Sequence, residues 1–215
     1  MRRKYEEELA DLKTAMVQMG ALCEEAISLS LRALEEGDMR LLDRVYTADS
    51  GIDRAQREIE SQCMRILLLQ QPVARDLRTI SSAMRMISDM ERIGDQASDI
   101  AGIAQYVIGR GPIGDDALKK MASEAVSMVT DAIDSFVTDD AALARRVVLH
   151  DDTVDALFSE IREELIEALR ADGADGEYCI DLLMIAKYLE RIGDHAVNIA
   201  GWVEYALTGE YDPDA

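Results

Sequence analysis

The sequence predicts an all-α protein made of two tandem, duplicated three-helix bundles, with six helices that run up and down in antiparallel order. Three observations predict this fold: a composition rich in helix formers, helical periodicity over almost the whole chain, and an internal repeat. The chain of 215 residues contains only three prolines and two phenylalanines, against eleven methionines. Its many Ala, Leu, Glu and Arg residues lose little on entering a helix, so the composition is that of a helical bundle.

The first three helices are delimited by turn-forming residues. A first helix is predicted over residues 4–35, before a glycine, and a second extends to residue 70 or 71 after Asp38, whose side chain can cap it. Pro72 is expected in the first turn of a third helix over residues 72–108. A proline is tolerated there because the N–H that it lacks would have no helical partner anyway.

The last three helices follow a glycine-rich segment at residues 109–114, which is the clearest linker in the chain. A fourth helix is predicted over residues 115–137, a fifth over 139–170 and a sixth over 177–207. Two glycines and two aspartates at residues 172–176 form the turn between the last two helices. The predicted order is therefore three helices, a hinge and three more helices.

An internal repeat gives the domain organisation. Residues 91–102 match residues 190–201 at nine of twelve positions, at an offset of 99. Self-similarity of this kind is the signature of a repeated structural unit. We therefore expect one three-helix repeat in residues 1–110 and a second in residues 111–215.

Acidic side chains recur at a spacing of four residues, which places them on one face of a helix. Helices two, three, five and six each carry such a stripe: Asp49 and Asp53; Glu91, Asp95 and Asp99; Asp151 and Asp155; Glu190, Asp194 and Asn198. Like charges at this spacing repel, which is unfavourable unless a cation lies between them. In each predicted hairpin both stripes lie about 20 residues from the turn, so antiparallel pairing brings them to the same height.

Oxygen ligands favour hard cations, so the candidate metal ions are iron, Mn²⁺ or Mg²⁺, with Ca²⁺ as a further candidate. The sequence also allows a second interpretation, because Ile93, Ala97, Ile100 and Ala104 define a different apolar face in the same stretch of helix three. Packing on that face could leave the acids in water. The sequence alone leaves both interpretations open.

The repeated motif contains an arginine and a glycine in each copy. Arg92 and Arg191 are each expected to neutralise the aspartate three residues later, with donation to a bound anion such as phosphate as the alternative. Gly94 and Gly193 lie in helix interiors, where a glycine costs about 1 kcal/mol relative to alanine. Their presence in both copies predicts close approach of a neighbouring helix or of a ligand.

Charge and hydropathy exclude several classes of function. A formal net charge of −20 repels nucleic acid. No apolar run approaches the roughly 18 residues of a membrane span, and acidic residues follow the N-terminus where a secretory signal would be apolar. The chain is therefore expected in the cytosol, without direct membrane insertion. Cys23, Cys63 and Cys179 show no paired spacing and are predicted to be reduced, buried side chains.

Two copies of Glu-Arg-Ile-Gly-Asp-x-Ala-x-Asx-Ile-Ala, each on the last helix of a three-helix unit, resemble the PhoU family. The resemblance covers nearly the whole chain, including Met-x-x-Met-Gly at residues 16–20 and Pro-Val-Ala-Arg-Asp-Leu-Arg at residues 72–78. It implies multinuclear metal clusters on the carboxylate motifs and a negative regulator of the phosphate regulon that modulates phosphate uptake. It also implies coupling of a phosphate ABC transporter to a sensor histidine kinase, a homodimer, and a location in the cytoplasm or at the inner membrane through these partners.

The resemblance assigns the metal to paired motifs in each half, but the halves differ. Asn198 stands where the first half has Asp99, so one charge and one bridging carboxylate are missing. We therefore expect a weaker or smaller metal cluster in the second half.

No catalytic residue is predicted, since the chain has neither a glycine-rich phosphate loop nor a nucleophile elbow. The sequence favours a regulatory adaptor. A metal-dependent helical-bundle enzyme or an iron-storage protein is an alternative, although neither His150 nor His195 follows a glutamate by three residues as in di-iron bundles. A plain helical scaffold with solvated acidic stripes is the other alternative.

Overall fold

The structure is a computed structural model that describes residues 2–110 and 116–210, and these residues form six helices without a strand. The helices are α1 (Arg2–Glu36), α2 (Arg40–Gln70), α3 (Arg75–Val107), α4 (Asp116–Thr138), α5 (Ala141–Leu169) and α6 (Gly176–Thr208). This confirms the all-α, six-helix prediction. Among these helices, none has an apolar stretch long enough to cross a bilayer.

Aspartates precede and cap the last two helices, because their side-chain oxygens accept hydrogen bonds from the first backbone N–H groups of a helix. The Asp140 carboxylate accepts hydrogen bonds from the backbone N–H groups of Ala142 and Leu143 at 2.9 and 3.0 Å. Asp175 accepts from the backbone N–H of Tyr178 at 3.1 Å. Each cap satisfies N–H groups that have no partner inside the helix.

The prediction that Pro72 lies in the first turn of the third helix is wrong. Gln71 ends α2 in the left-handed conformation, with φ at 48°, and α3 begins only at Arg75. The residue before a proline avoids the right-handed helical region, which favours a break at this point. Ala74 then has φ at 50° and ψ at −120°, a conformation from which no helix continues. Pro72 therefore lies in the connection.

The connection between the halves is described only in part. Gly109 follows α3 with φ at 81°, a value that glycine adopts readily. Residues 111–114 of the predicted linker lie outside the described residues.

The two halves pack in the same way. In each half all three helices contact one another, and the halves meet through α3 with α6 and α1 with α4. Arg85 lies 5.6 Å from the ring centre of Trp202, and Arg78 packs beside Gly209 at the end of α6. Later residues of α3 thus contact earlier residues of α6, so these two central helices are antiparallel. Because the duplication equates α3 with α6, this contact is expected of halves related by a two-fold rotation.

One continuous cluster of buried apolar side chains runs through both halves. Within the α1–α4 contact, Glu24 also accepts a hydrogen bond from the Thr130 hydroxyl at 2.8 Å. The three cysteines are buried and free, as the sequence predicts. The core therefore joins the repeats and fixes the positions of α2 and α5 on either side.

Candidate functional site

The acidic stripe of α3 lies beside the core face of that helix. The fully buried face consists of Ile93, Ala97, Ile100 and Ala104. Glu91 and Asp95 are half-buried on the flank, and Asp99 is exposed. The core does pack on the alternative apolar face that the sequence contains, but the acids remain next to the neighbouring helix.

In the first half, α2 and α3 bring their carboxylates together. Burial raises the pKa of Asp49, and the charges of Asp95, Asp53 and Asp99 raise it further. The pKa of Glu91 is raised by burial and by Asp95, and Asp53 and Asp49 add to the rise. Charges act on one another in this way only at close range, so the structure places these stripes level with each other.

Gly94 allows α2 to lie this close to α3. A Cβ atom on Gly94 would lie 2.8 Å from Asp49 Oδ1 and 2.9 Å from Ile52 Cδ1, closer than such atoms pack. The missing side chain therefore creates the space that Asp49 occupies. The close helix approach predicted from the repeated glycine is confirmed.

The second half repeats this arrangement between α5 and α6. Burial and the charges of Asp155 and Asp194 raise the pKa of Asp151 to about 6. The pKa of Asp194 is also raised, by desolvation first and then by Glu190, although part of its side chain reaches solvent. A Cβ atom on Gly193 would lie 3.1 Å from Asp151 Oδ1, an oxygen that is buried without a hydrogen-bond partner.

Basic side chains already neutralise part of each cluster. Arg92 donates to Asp95 at 2.9 Å, as predicted. Arg191 instead opposes the rise in the pKa of Asp99 across the contact between the halves. Lys187 donates to Glu190, a contact not identified from the sequence although the three-residue spacing on one helix allows it.

Asn198 is directed toward the other half of the molecule. Its amide donates to Asp89 of α3 at 3.3 Å, and the same carboxylate lies 3.0 Å from His195 Nδ1. No sequence pattern indicates Asp89, because Tyr188 occupies the equivalent position in α6 and the repeat does not include this carboxylate. The structure therefore separates Asn198 from the carboxylates that α5 and α6 share.

Within the two described ranges, no three Asp, Glu, His or Cys side chains converge as a ready metal site. The donor chemistry nevertheless fits a hard cation. The groups that approach are carboxylates, their pKa values are raised by burial first and by mutual repulsion second, and Asp151 Oδ1 has an unsatisfied buried lone pair. A bound cation would have to compete with Arg92 for Asp95 and with Lys187 for Glu190.

Comparison with protein families gives two matches to the PhoU domain, over residues 16–104 and 118–203. A protein of Clostridium acetobutylicum is 33% identical over 213 residues, which are 97% of this chain and 96% of that protein. One of Pseudomonas aeruginosa is 35% identical over 209 residues, 96% of this chain and 86% of its own length. Both are named as homologues of the phosphate-specific transport system accessory protein PhoU.

Two solved structures have the same fold. The crystal structure of PhoU from Pseudomonas aeruginosa superposes with a TM-score of 0.89 at 34% identity, covering 96% of this chain and all of that one. The phosphate transport system regulatory protein PhoU from Streptococcus pneumoniae gives 0.89 at 28% identity, over 97% and 99% of the two chains.

Proposed function

Because this chain belongs to the PhoU family, we propose that it is an accessory regulator of a phosphate-specific transport system and not an enzyme. The observation that carries this proposal is the family match in both halves, over residues 16–104 and 118–203. Relatives similar over nearly their whole length are named as accessory proteins of phosphate transport. The repeated motifs of α3 and α6, which are central to both halves, support the same function.

At the level of the pathway, the protein acts as a negative regulator of the phosphate regulon. It couples a phosphate ABC transporter to a sensor histidine kinase, from the cytoplasm and as a homodimer. The duplication supports an adaptor role because it presents two similar but unequal faces, and two different partners can then be held at once. The net charge of −20 favours partners with basic surfaces.

Cells from which the gene has been deleted test this role. We expect phosphate-responsive genes to be expressed in phosphate-rich medium and to be repressed again when the gene is restored. A tagged chain should co-purify with a transporter subunit or a sensor kinase, to different extents with and without phosphate. Unchanged expression together with no such co-purification would contradict the proposal.

The acidic stripes are proposed to bind hard cations, with iron, Mn²⁺ and Mg²⁺ ahead of Ca²⁺. The residues that would hold them are Asp49, Asp53, Glu91, Asp95 and Asp99 in the first half, and Asp151, Asp155, Glu190 and Asp194 in the second. A cation bound between the clustered carboxylates would offset the repulsion among their negative charges. The raised pKa values of Asp49 and Asp151 support this assignment.

Elemental analysis of protein purified without added metal or chelator tests the assignment. The first half should hold more metal, since Asn198 contributes no charge. We therefore expect Asp95→Ala to remove more metal than Asp194→Ala. Equal losses would contradict the inequality of the halves, and a wild-type protein without metal would favour the plain scaffold.

Enzymatic activity is tested separately. The metal-loaded protein should show no oxidase or phosphatase turnover above that of the free metal. Turnover that disappears in Asp95→Ala would instead support the alternative of a metal-dependent enzyme.

A further inference from the structure

A cleft of about 680 Å³ lies where the start of α1, the α2–α3 connection and the α4–α5 turn meet. Its walls come from the first turns of α1, from residues 70–79 and from Asp139. This volume is typical of ligand-binding clefts. None of the stripe carboxylates lines the cleft, so the cleft is separate from the acidic stripes.

Strained backbone surrounds this cleft. Within residues 2–110 and 116–210, the only non-glycine residues with positive φ are Gln71, Ala74 and Asp139, at 48°, 50° and 56°. Gln71 and Asp139 line the cleft, and Ala74 lies between two lining residues. Such conformations cost about 1–3 kcal/mol each and tend to cluster at binding sites.

Ion pairs hold the walls of the cleft together. Lys13 of α1 donates to the backbone carbonyl of Val137 at 2.9 Å and to the Asp139 carboxylate at 3.0 Å. Arg75, at the start of α3, lies 3.6 Å from the other oxygen of that carboxylate. The cleft is therefore built from both halves of the molecule.

The lining of the cleft matches a basic peptide segment. Three carboxylates line the cleft, from Glu6, Asp76 and Asp139, and two cations, Arg75 and Lys13, both contact Asp139, so the carboxylates outnumber these cations by one. The amide side chains of Gln70 and Gln71 can both donate to and accept from a peptide backbone.

Exposed apolar side chains continue from the cleft over the tip of the α2–α3 hairpin. Leu68, Leu69 and Val73 are 71%, 61% and 73% exposed, and Leu77 is 45% exposed. Exposed apolar patches of this kind commonly mark interaction sites. The equivalent turn of the second half, residues 170–175, contains only Arg, Ala, Asp and Gly. The tip of the α5–α6 hairpin does expose Ile166, Leu169 and Ile180, at 45%, 44% and 58%, so the duplication has kept exposed apolar side chains on the helices but not an apolar turn.

We propose that this cleft and the adjoining apolar tip dock a partner protein through a segment that carries an arginine or lysine beside apolar side chains. The basic group binds among the carboxylates, its stem packs on Leu9 and Pro72, and the apolar neighbours cover Val73 and the tip. Long-range attraction by the acidic chain brings such a segment to the surface, while the cleft selects it. Only the identity of the partner rests on the adaptor role proposed above.

Fluorescence anisotropy with labelled 12-residue peptides tests the docking site on the full chain. The probes alternate Arg with Leu, Arg with Ser, or Glu with Leu. The cleft variant combines Val73→Ser with Asp76→Asn. The control combines Leu149→Ser with Asp172→Asn, which alters an apolar side chain of similar exposure, 72%, and removes the same charge.

The Arg/Leu peptide should bind wild-type and control proteins alike and the cleft variant at least tenfold more weakly. It should bind the wild type more tightly than either other peptide. Equal weakening in cleft and control variants would overturn the proposal, because attraction would then be diffuse. Equal binding of the Arg/Ser peptide would overturn the apolar part. Self-association of the wild type that the cleft variant abolishes would show that a second copy occupies this surface instead.

Circular dichroism checks that the variants fold. Should the double variant unfold, Val73→Ser alone keeps the test, because that side chain is 73% exposed and contributes little to the core. The peptide result bears only on docking. Loss of phosphate regulation is measured in cells and bears on the proposed function, so the two can fail independently.

Discussion

Gly94 decides how closely α2 approaches α3 at the carboxylate cluster. A helix-interior glycine lowers stability by about 1 kcal/mol relative to alanine when the site is open. At Gly94 the site is not open, because Asp49 Oδ1 and Ile52 Cδ1 occupy the space of a side chain. The sequence predicts close approach from the repeated glycine, but only the structure shows that the approaching group is a carboxylate.

Alanine substitutions at three glycines distinguish a crowded helix-interior site from an open one. Gly94→Ala should lower the free energy of unfolding by about 1–2 kcal/mol, because buried Ile52 cannot move away easily. Gly193→Ala should be close to neutral, since its nearest contact, at 3.1 Å, is looser. Gly201→Ala is the control and should stabilise by about 0.5–1 kcal/mol, as nothing lies within 4 Å of its Cβ. Urea unfolding measures all three; a stabilising Gly94→Ala would contradict the packing described.

Asp151 makes stability depend on pH in metal-free protein. Folding raises the pKa of Asp151 to about 6 from the ordinary aspartate value of 3.8, so folding favours the protonated form. The contribution of Asp151 to the free energy of unfolding is therefore greatest below about pH 4 and falls as the pH rises through about 6. Asp151→Asn should raise the free energy of unfolding by about 1–2 kcal/mol at pH 7.5, after allowance for solvent screening, and change it little at pH 4.

Urea titrations at the two pH values, with chelator present, measure this difference. A variant that is less stable than the wild type at pH 7.5 would show that Asp151 makes favourable contacts when charged.

At the scale of elements, the connection between α2 and α3 is where sequence and structure differ most. The starts of α5 and α6 lie within two residues of the predicted ones, because helix starts depend on local chemistry. The sequence does not reveal that Ala74 adopts φ 50° and ψ −120°, since alanine gives no sign of positive φ. Gln71 and Ala74 both leave the right-handed helical region, which keeps Pro72 outside α3 and makes the prediction for Pro72 wrong.

Replacing Ala74 with glycine should relieve this strain. We expect Ala74→Gly to raise the free energy of unfolding by about 0.5–1 kcal/mol, net of the entropy lost by glycine. Ala10→Gly, at an exposed position inside α1, is the matched control and should lower it by about 1 kcal/mol. Thermal and urea unfolding distinguish these signs, and destabilisation of equal size in both variants would contradict the strain.

The sequence predicts contacts between helices only within the two hairpins. The stripes of α2 with α3, and of α5 with α6, follow from hairpin register. The contact of Asp89 with His195 and Asn198 depends on how α3 crosses α6, which no spacing in the sequence specifies. The pairing of Lys187 with Glu190 was not predicted for a different reason: the spacing on α6 allows it, but the side-chain rotamers decide whether it forms.

At the scale of the whole molecule, the repeats share one core. Buried side chains from both halves form a single cluster, and α3 contacts α6 as well as its own bundle. Gly20 also packs closely on Ile133, in the contact that α1 makes with α4 between the halves. Each repeat is therefore a unit of sequence, while the core extends across both.

A fragment of residues 1–110 tests this shared core. Without α4 and α6, it exposes faces that are buried in the full chain, so we expect aggregation, dimerisation or loss of cooperative unfolding. Size-exclusion chromatography and circular dichroism during urea unfolding measure these properties. A monomeric fragment with a sharp two-state transition would show that the first repeat folds independently.

Carboxylates from neighbouring helices lie close together in each half, an arrangement that is unfavourable unless they share a cation. The most direct test is the unfolding temperature of chelator-treated protein as Mn²⁺ or Mg²⁺ is added, for the wild type and for Asp49→Asn combined with Asp151→Asn. A ligand at 100 times its dissociation constant stabilises the folded state by about 2.7 kcal/mol. We expect a clear rise in the unfolding temperature of the wild type and almost none in the variant, which should be more stable before metal is added. No rise in the wild type, or the same rise in both proteins, would contradict this expectation.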